Sequence, residues 1–259
     1  MADPTVIAVD WSGAFRQPHR KLALTEIIEG FPRVQSRDRN REETIQYLKE
    51  VHERSSNLVV GLDFAFSTPN WFVQSQSCSS GPEFWDCVGE RGEEWLKHCR
   101  SPFWGRKGHK KPDGIVEYRR TEDHWKAKGF APKSVFQVGG WGAVGTGSIR
   151  GMPFLRVLRD NGFSIWPFDP PKLPLVVEIY PRILTGDVKK RRYEDRRSYL
   201  RREFPKITAA VHSVGASTED AFDSLVSALR MTEHLLDLRN LPSVTDAISR
   251  AEGVIWGPE

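Results

Sequence analysis

The hydrophobic positions of the chain fall into two textures. Residues 5–9, Thr-Val-Ile-Ala-Val, are a β-branched run that ends in Asp10-Trp11-Ser12-Gly13, the pattern of a buried strand entering a turn. Residues 22–28 and 33–36, separated by Gly30-Phe31-Pro32, read as two more strands of a hairpin meander. Asn40 can cap a helix over 41–54, with Ile45, Leu48 and Val51 as its apolar stripe. Residues 57–62 carry Leu-Val-Val-Gly-Leu, another buried strand, which runs into Asp63.

From 67 to 162 the pattern changes. The segment is rich in Gly, Trp, Lys and Arg and offers few periodic elements. A helix is predicted over 83–99, and a second near 153–161 with Leu155, Val157 and Leu158 as its apolar positions, following a glycine-rich stretch over 138–147. The segment reads as an insertion packed on a core made of 1–66 and 163–259. Regular α/β texture returns with short strands over 163–168 and 173–180. A charged helix follows over 188–203, then a strong amphipathic helix over 218–238 that starts after Ser217.

Composition narrows the setting. The 259 residues suffice for a large unstapled core, and the net charge of +4 makes a polyanion partner plausible without requiring one. Three cysteines, Cys78, Cys87 and Cys99, are an odd count and form no zinc knuckle, so a reducing cytoplasmic location is expected. A secretory leader is not expected, and no apolar run approaches the roughly 18 residues of a membrane span.

The chemistry lies in the acids. Asp10 and Asp63 each follow an apolar strand directly, and the carboxyl ends of neighbouring strands in an open α/β sheet form the usual ligand crevice. Either residue alone could equally be a turn former bonded to its own backbone. Glu178 sits inside Leu-Val-Val-Glu-Ile-Tyr, where a buried carboxylate needs a partner or a cation, unless the strand is at an edge and Glu178 faces water. Asp220 and Asp223 are three apart on the last strong helix, beside the small Ser224 and Ser227. Any amphipathic helix also turns its acids outward, and Asp220 stands three after Ser217 as in a capping box, so helix geometry favours Asp223.

The order of motifs resembles a known family. Ile7-Ala8-Val9-Asp10-Trp11-Ser12-Gly13-Ala14 is similar to the opening motif of the "domain of unknown function 429" family, described as predicted nucleases with a ribonuclease H-like fold. Gly61-Leu62-Asp63-Phe64-Ala65-Phe66-Ser67-Thr68-Pro69, Val177-Glu178-Ile179-Tyr180-Pro181, the helix segment from Glu219 to Ala228 and Glu252-Gly253-Val254-Ile255-Trp256 resemble its later motifs in the same order. The acidic helix also resembles that of RuvC-type resolvases, where two acids three apart complete a metal site. That likeness brings Asp220 back into the set. Phe222 and Ser224 depart from that pattern.

The resemblance implies an α/β fold with a ribonuclease H-like mixed five-stranded sheet flanked by helices, and a large insertion after the fourth strand. It implies catalytic acids Asp10, Asp63, Glu178, Asp220 and Asp223. Asp10, Asp63, Glu178 and Asp223 would hold Mg²⁺ or Mn²⁺ for phosphodiester hydrolysis.

Arg106, Lys107, Lys110 and Lys111, beside Phe103 and Trp104, suit a loop that binds nucleic acid, though a solvated loop has the same composition. The charged run over 188–203 reads as a solvated helix face. Gly140-Trp141-Gly142-Ala143-Val144-Gly145 has the dinucleotide-fingerprint spacing without a preceding strand, although its amides could cradle a phosphate. Two other readings stand beside the nuclease. One is an ATP-using enzyme of the actin and sugar-kinase type, whose usual duplicated core has no room here. The other is a non-catalytic nucleic-acid-binding protein.

Overall fold

The first strand, β1 (Thr5–Asp10), is buried on both sides, because its alternate residues serve two different apolar layers. The structure, a computed structural model, describes residues 3–36, 38–140 and 142–258. Trp141, within the glycine-rich stretch, lies outside them. β2 (Ala23–Ile28) pairs antiparallel with β1, and β3 (Phe31–Ser36) antiparallel with β2. β4 (Leu58–Leu62) lies parallel on the other side of β1, and β6 (Leu175–Ile179) parallel beside β4. Two short strands, β5 (Ser164–Ile165) and β7 (Ile255–Trp256), both pair parallel with β6. The result is an α/β fold around a mixed sheet of seven strands, ordered β3-β2-β1-β4-β6-β5 with β7 also on β6. Five strands were expected. The two additional ones are β5 and β7, each of two residues and each paired with β6, and a two-residue strand such as Ile255–Trp256 has no period to detect.

Helices cover both faces. On one, Ile7, Val9, Val60 and Leu62 pack under α1 (Arg41–Arg54), α3 (Gly81–His98) and α5 (Gly145–Asp160). Asn40 caps α1 in a full capping box with Glu43, as the pattern indicated. Phe84, Trp85, Phe136 and Ile149 belong to the same apolar cluster, so the segment 67–162 shares the core of the sheet. On the other face, Val6, Ala8, Val59 and Val177 meet Ala228 and Met231 of α9 (Glu219–Glu233). α9 packs close because small residues line the contact. A Cβ on Gly61 would come within 2.6 Å of the Met231 sulfur, and Ser224 bonds Thr25 across the contact at 3.0 Å.

Four boundaries differ from the pattern. α5 begins at Gly145, and Pro153, which looked like a helix start, lies inside it. The charged helix, α7 (Tyr193–Glu203), begins after the Lys-Lys-Arg-Arg run. α9 is capped by Thr218, whose hydroxyl accepts from Ala221 N at 3.0 Å, so the capping-box reading of Asp220 with Ser217 fails; Ser217 instead donates to Val214 O. The chain breaks at His234 into α10 (Leu235–Arg239). Among the described residues no helix is long and apolar enough to cross a membrane.

Candidate functional site

The geometry of β1 and β4 dictates where their acids stand. The parallel register pairs Val9 with Leu62, and Asp63 N donates to Val9 O at 3.0 Å, so Asp10 and Asp63 continue the two strands side by side. Neighbouring strands lie about 4.8 Å apart, which forces the two carboxylates together. Strand alternation then selects the face. Asp10 has the parity of Val6 and Ala8, and Asp63 that of Val59 and Gly61, so both acids project toward α9. Asp223 on the first turns of α9 meets them there, with Asp220 one turn away and within electrostatic reach of both Asp10 and Asp223.

The electrostatics follow from that crowding. Burial, followed by the charges of Asp63, Asp223 and Asp220, holds the Asp10 carboxyl well above the usual range. Asp63 is pushed up to about 8, first by burial and then by Asp223. Asp223 is raised by burial and by Asp220, against the pull of Lys190. Lys190 belongs to this cluster too, and the sequence did not single it out. Its ammonium donates to Asp223 Oδ2 at 2.9 Å and lies 2.7 Å from Oδ1. It reaches inward from the loop before α7 because buried Arg196 holds that loop, bonding the Lys190 carbonyl and, at 2.8 Å, Ala216 O. The run over 188–203 is therefore only partly a solvated face. Its one sequence signal, four consecutive cations, looked like a helix surface.

Glu178 is placed differently. It shares the parity of Val176, which faces the α1–α5 side, so it points away from α9. Both its oxygens are engaged. Arg119, 1% exposed, donates to Oε2 at 2.8 Å and to Oε1 at 2.5 Å, and Phe66 N donates to Oε2 at 2.8 Å. Arg119 also bonds Glu122 and the Glu252 carbonyl. Burial opposes the guanidinium's charge, but Glu122 and Glu178 outweigh it and hold Arg119 firmly protonated. The expected set thus splits: Asp10, Asp63, Asp223 and Asp220 cluster, while Glu178 serves a buried ion pair beside them. Nothing in the sequence near Arg119 marks a partner 59 residues away.

In the cluster, the donors are hard carboxylate oxygens crowded enough to repel one another, and their local cation is a lysine. That chemistry fits a divalent ion such as Mg²⁺ or Mn²⁺ held by Asp10, Asp63 and Asp223. Among the described residues no three His, Cys, Asp or Glu side chains already converge as a metal cage, and Lys190 occupies the Asp223 carboxylate.

The surroundings are basic and closely packed. Arg41 Nη1 bonds the carbonyls of Ser12 and Ala14 at 2.9 Å each, and Arg150 Nη1 bonds Gly13 O at 2.6 Å, so two arginines clamp the loop after Asp10. Arg150 also lies over the exposed ring of Phe15, 5.2 Å from its centroid. Arg106, Lys107, Lys110 and Lys111 are exposed, and Lys111 pairs with Glu117. Phe103 and Trp104, expected to help that loop bind bases, are instead buried in the core. The loop's backbone at Gly105 lies against Gly139 of the glycine-rich segment. His212 is buried and bonds Phe204 O at 3.0 Å, a packing role.

A cavity of about 170 Å³ opens beside Asp63 and Glu178, walled by Trp11, Gly13, Tyr180 and the start of α5. Two of the larger hollows, of about 630 and 770 Å³, lie at Leu173–Leu175 and among Trp125, Trp166 and Trp256, and none of the five acids lines either. Chemistry rather than size identifies the site. No family model, curated protein or solved structure matches the chain.

Proposed function

We propose that this protein is a metal-dependent nuclease on a ribonuclease H-like core, hydrolysing phosphodiester bonds in nucleic acid. The observation that carries the reading is the meeting of Asp10, Asp63 and Asp223 at two adjacent parallel strand ends and one helix start. Further support comes from the sheet, in which an antiparallel meander leads to a central first strand with parallel neighbours after it.

Asp10, Asp63 and Asp223 would hold Mg²⁺ or Mn²⁺, with Asp220 adjoining. Two such ions supply an activated water and stabilise the leaving oxygen in phosphodiester cleavage. The protein's own groups set the stage. Asp10, within electrostatic reach of Asp63, Asp223 and Asp220, would be one of the ligands. Lys190 balances the charge of Asp223. Arg119 holds Glu178 rigid, which fixes the end of β6 against β4. Arg106, Lys107, Lys110 and Lys111 attract the phosphate backbone, and Phe15 with Arg150 offers an exposed stacking edge.

A labelled panel of DNA and RNA in single-stranded, duplex and branched forms tests the reading, with ATP hydrolysis as control. Slow cleavage that needs Mg²⁺ or Mn²⁺, and is lost in Asp10→Asn and Asp223→Asn, is the expected outcome. Metal-dependent ATP turnover without strand cleavage would move the assignment to the actin and sugar-kinase type. Silence in both would leave a non-catalytic nucleic-acid-binding protein.

A further inference from the structure

The start of α5 is an uncapped helix N-terminus in the wall of the cavity beside Asp63. Val144, at the N-cap, has no side-chain acceptor, and no side-chain hydrogen bond caps the helix. Gly145 N is taken by Gln137 O at 3.0 Å, and Ser148 N by Val144 O at 3.1 Å. That leaves the amides of Thr146 and Gly147, at the second and third helical positions, where no intrahelical acceptor exists. The nearby hydroxyls are used elsewhere: Thr146 donates to Val138 O, and Ser148 accepts from Ala65 N.

A second observation points independently to a ligand. The indole Nε1–H of Trp11 is buried, in a residue 7% exposed, and has no hydrogen-bond partner. An orphaned buried donor is costly in a native fold. The ring packs on Phe64 and Phe154, with centroids 5.0 and 5.8 Å away. Its Cδ1, bonded to Nε1, lies 3.9 Å from where a Cβ on Gly147 would stand, so the donor edge faces the start of α5. Gly13 completes the wall. A Cβ there would come within 2.4 Å of Gly147 N, so only glycine lets the loop after β1 approach the helix this closely.

We propose that Trp11 Nε1 with the backbone amides of Thr146 and Gly147 forms a subsite for one phosphate group, a phosphodiester of a nucleic-acid strand, with Asp63 as the member of the acidic cluster that borders it. Three donors at the positive end of a helix of 16 residues match an anion. The cavity's 170 Å³ is well below the roughly 300–1,000 Å³ that encloses a drug-sized ligand, so it takes a phosphate with part of its sugar and leaves the base outside. Lys133 on the rim adds a positive charge. The inference takes from the nuclease reading only that the substrate is a strand; the phosphate site itself stands on these donors.

The test is a titration of ¹⁵N-labelled protein with inorganic phosphate and with a dinucleoside monophosphate, in Mg²⁺, read from the nine tryptophan indole signals. The Trp11 signal is the one missing in Trp11→Phe. Gly147→Ala is the decisive variant. Its methyl would stand 3.5 Å from Gly13 N, an ordinary contact, so the fold accepts it while a methyl enters the gap between the Trp11 ring and the helix start. Expected are a saturable shift of the Trp11 signal with both probes, and an affinity lower by about tenfold or more in Gly147→Ala at an undiminished melting temperature. No shift of that signal, or equal affinity in Gly147→Ala, would overturn the subsite. A shift with inorganic phosphate alone would overturn its assignment to a diester. Phosphate binding without strand cleavage would count against the nuclease and leave the subsite standing; cleavage without it would do the reverse.

Discussion

Single residues in this site act through charge, and their substitutions have opposite signs. Asp63 titrates near 8 in the fold against 3.8 ordinarily, so the folded chain keeps a proton that the unfolded chain has lost. The apo protein should therefore be most stable below about pH 4 as far as this group decides, and lose stability as pH rises toward 8. Asp63→Asn should flatten that slope and raise the apo melting temperature at pH 8. A gain on the order of 1 kcal/mol is about 2–4 °C in a chain of this size. Thermal melts in chelator across pH check it, and added Mg²⁺ should raise the wild-type midpoint more at pH 8 than at pH 5. Arg119→Ala should do the contrary, costing about 3–5 kcal/mol because it strands Glu178 and Glu122 as buried charges. Denaturant unfolding would register this as a lower midpoint, and an unchanged one would dismiss the ion pair as structural. Asp10 and Asp63 were legible as a pair because each ends an apolar run. Glu178 was legible as a buried acid, but its face depends on the register of β6, which sequence does not carry. Lys190 and Arg119 were not legible, since their partners arrive from distant segments.

At the scale of elements, the site depends on how closely α9 lies on the sheet. Ser224 and Ser227 are buried in that contact, as the small face of the helix suggested, and Gly61 gives way to Met231 and Ile179. Gly61→Ala should overpack this contact and cost about 1–3 kcal/mol. Because the same shift withdraws Asp223 from Asp10, it should also weaken Mn²⁺ binding, measured by calorimetric titration. A loss of stability with unchanged metal affinity would mean that the helix position and the acid cluster are independent. Periodicity revealed α1, α3 and α9 because each has a clean apolar stripe and a capping residue. It placed the start of α5 late. Gly145 and Gly147 are poor helix formers held there by contacts with Val135 O and Gly13, which no local pattern encodes.

The molecule as a whole combines an acidic cluster at the strand ends with exposed cations on the loop after Gly105. Replacing Arg106, Lys107, Lys110 and Lys111 together by Ala should weaken nucleic-acid binding and flatten its salt dependence, measured by binding titrations at several salt concentrations. An unchanged slope would make the loop a merely solvated one. The α/β class and the places of the first four strands along the chain could be read from the apolar runs. That the segment 67–162 closes one face of the sheet, and brings the start of α5 to the loop after Asp10, could not, because those contacts span more than 130 residues. The claim on which the rest depends is that Asp10, Asp63 and Asp223 hold a divalent cation. A crystal of the protein soaked in Mn²⁺, with anomalous scattering collected, tests it directly. The expected result is an anomalous peak bounded by those three carboxylates, with the Lys190 ammonium moved off Asp223, and no such peak in Asp10→Asn. Saturating Mn²⁺ with no peak there, and Lys190 still paired with Asp223, would contradict it.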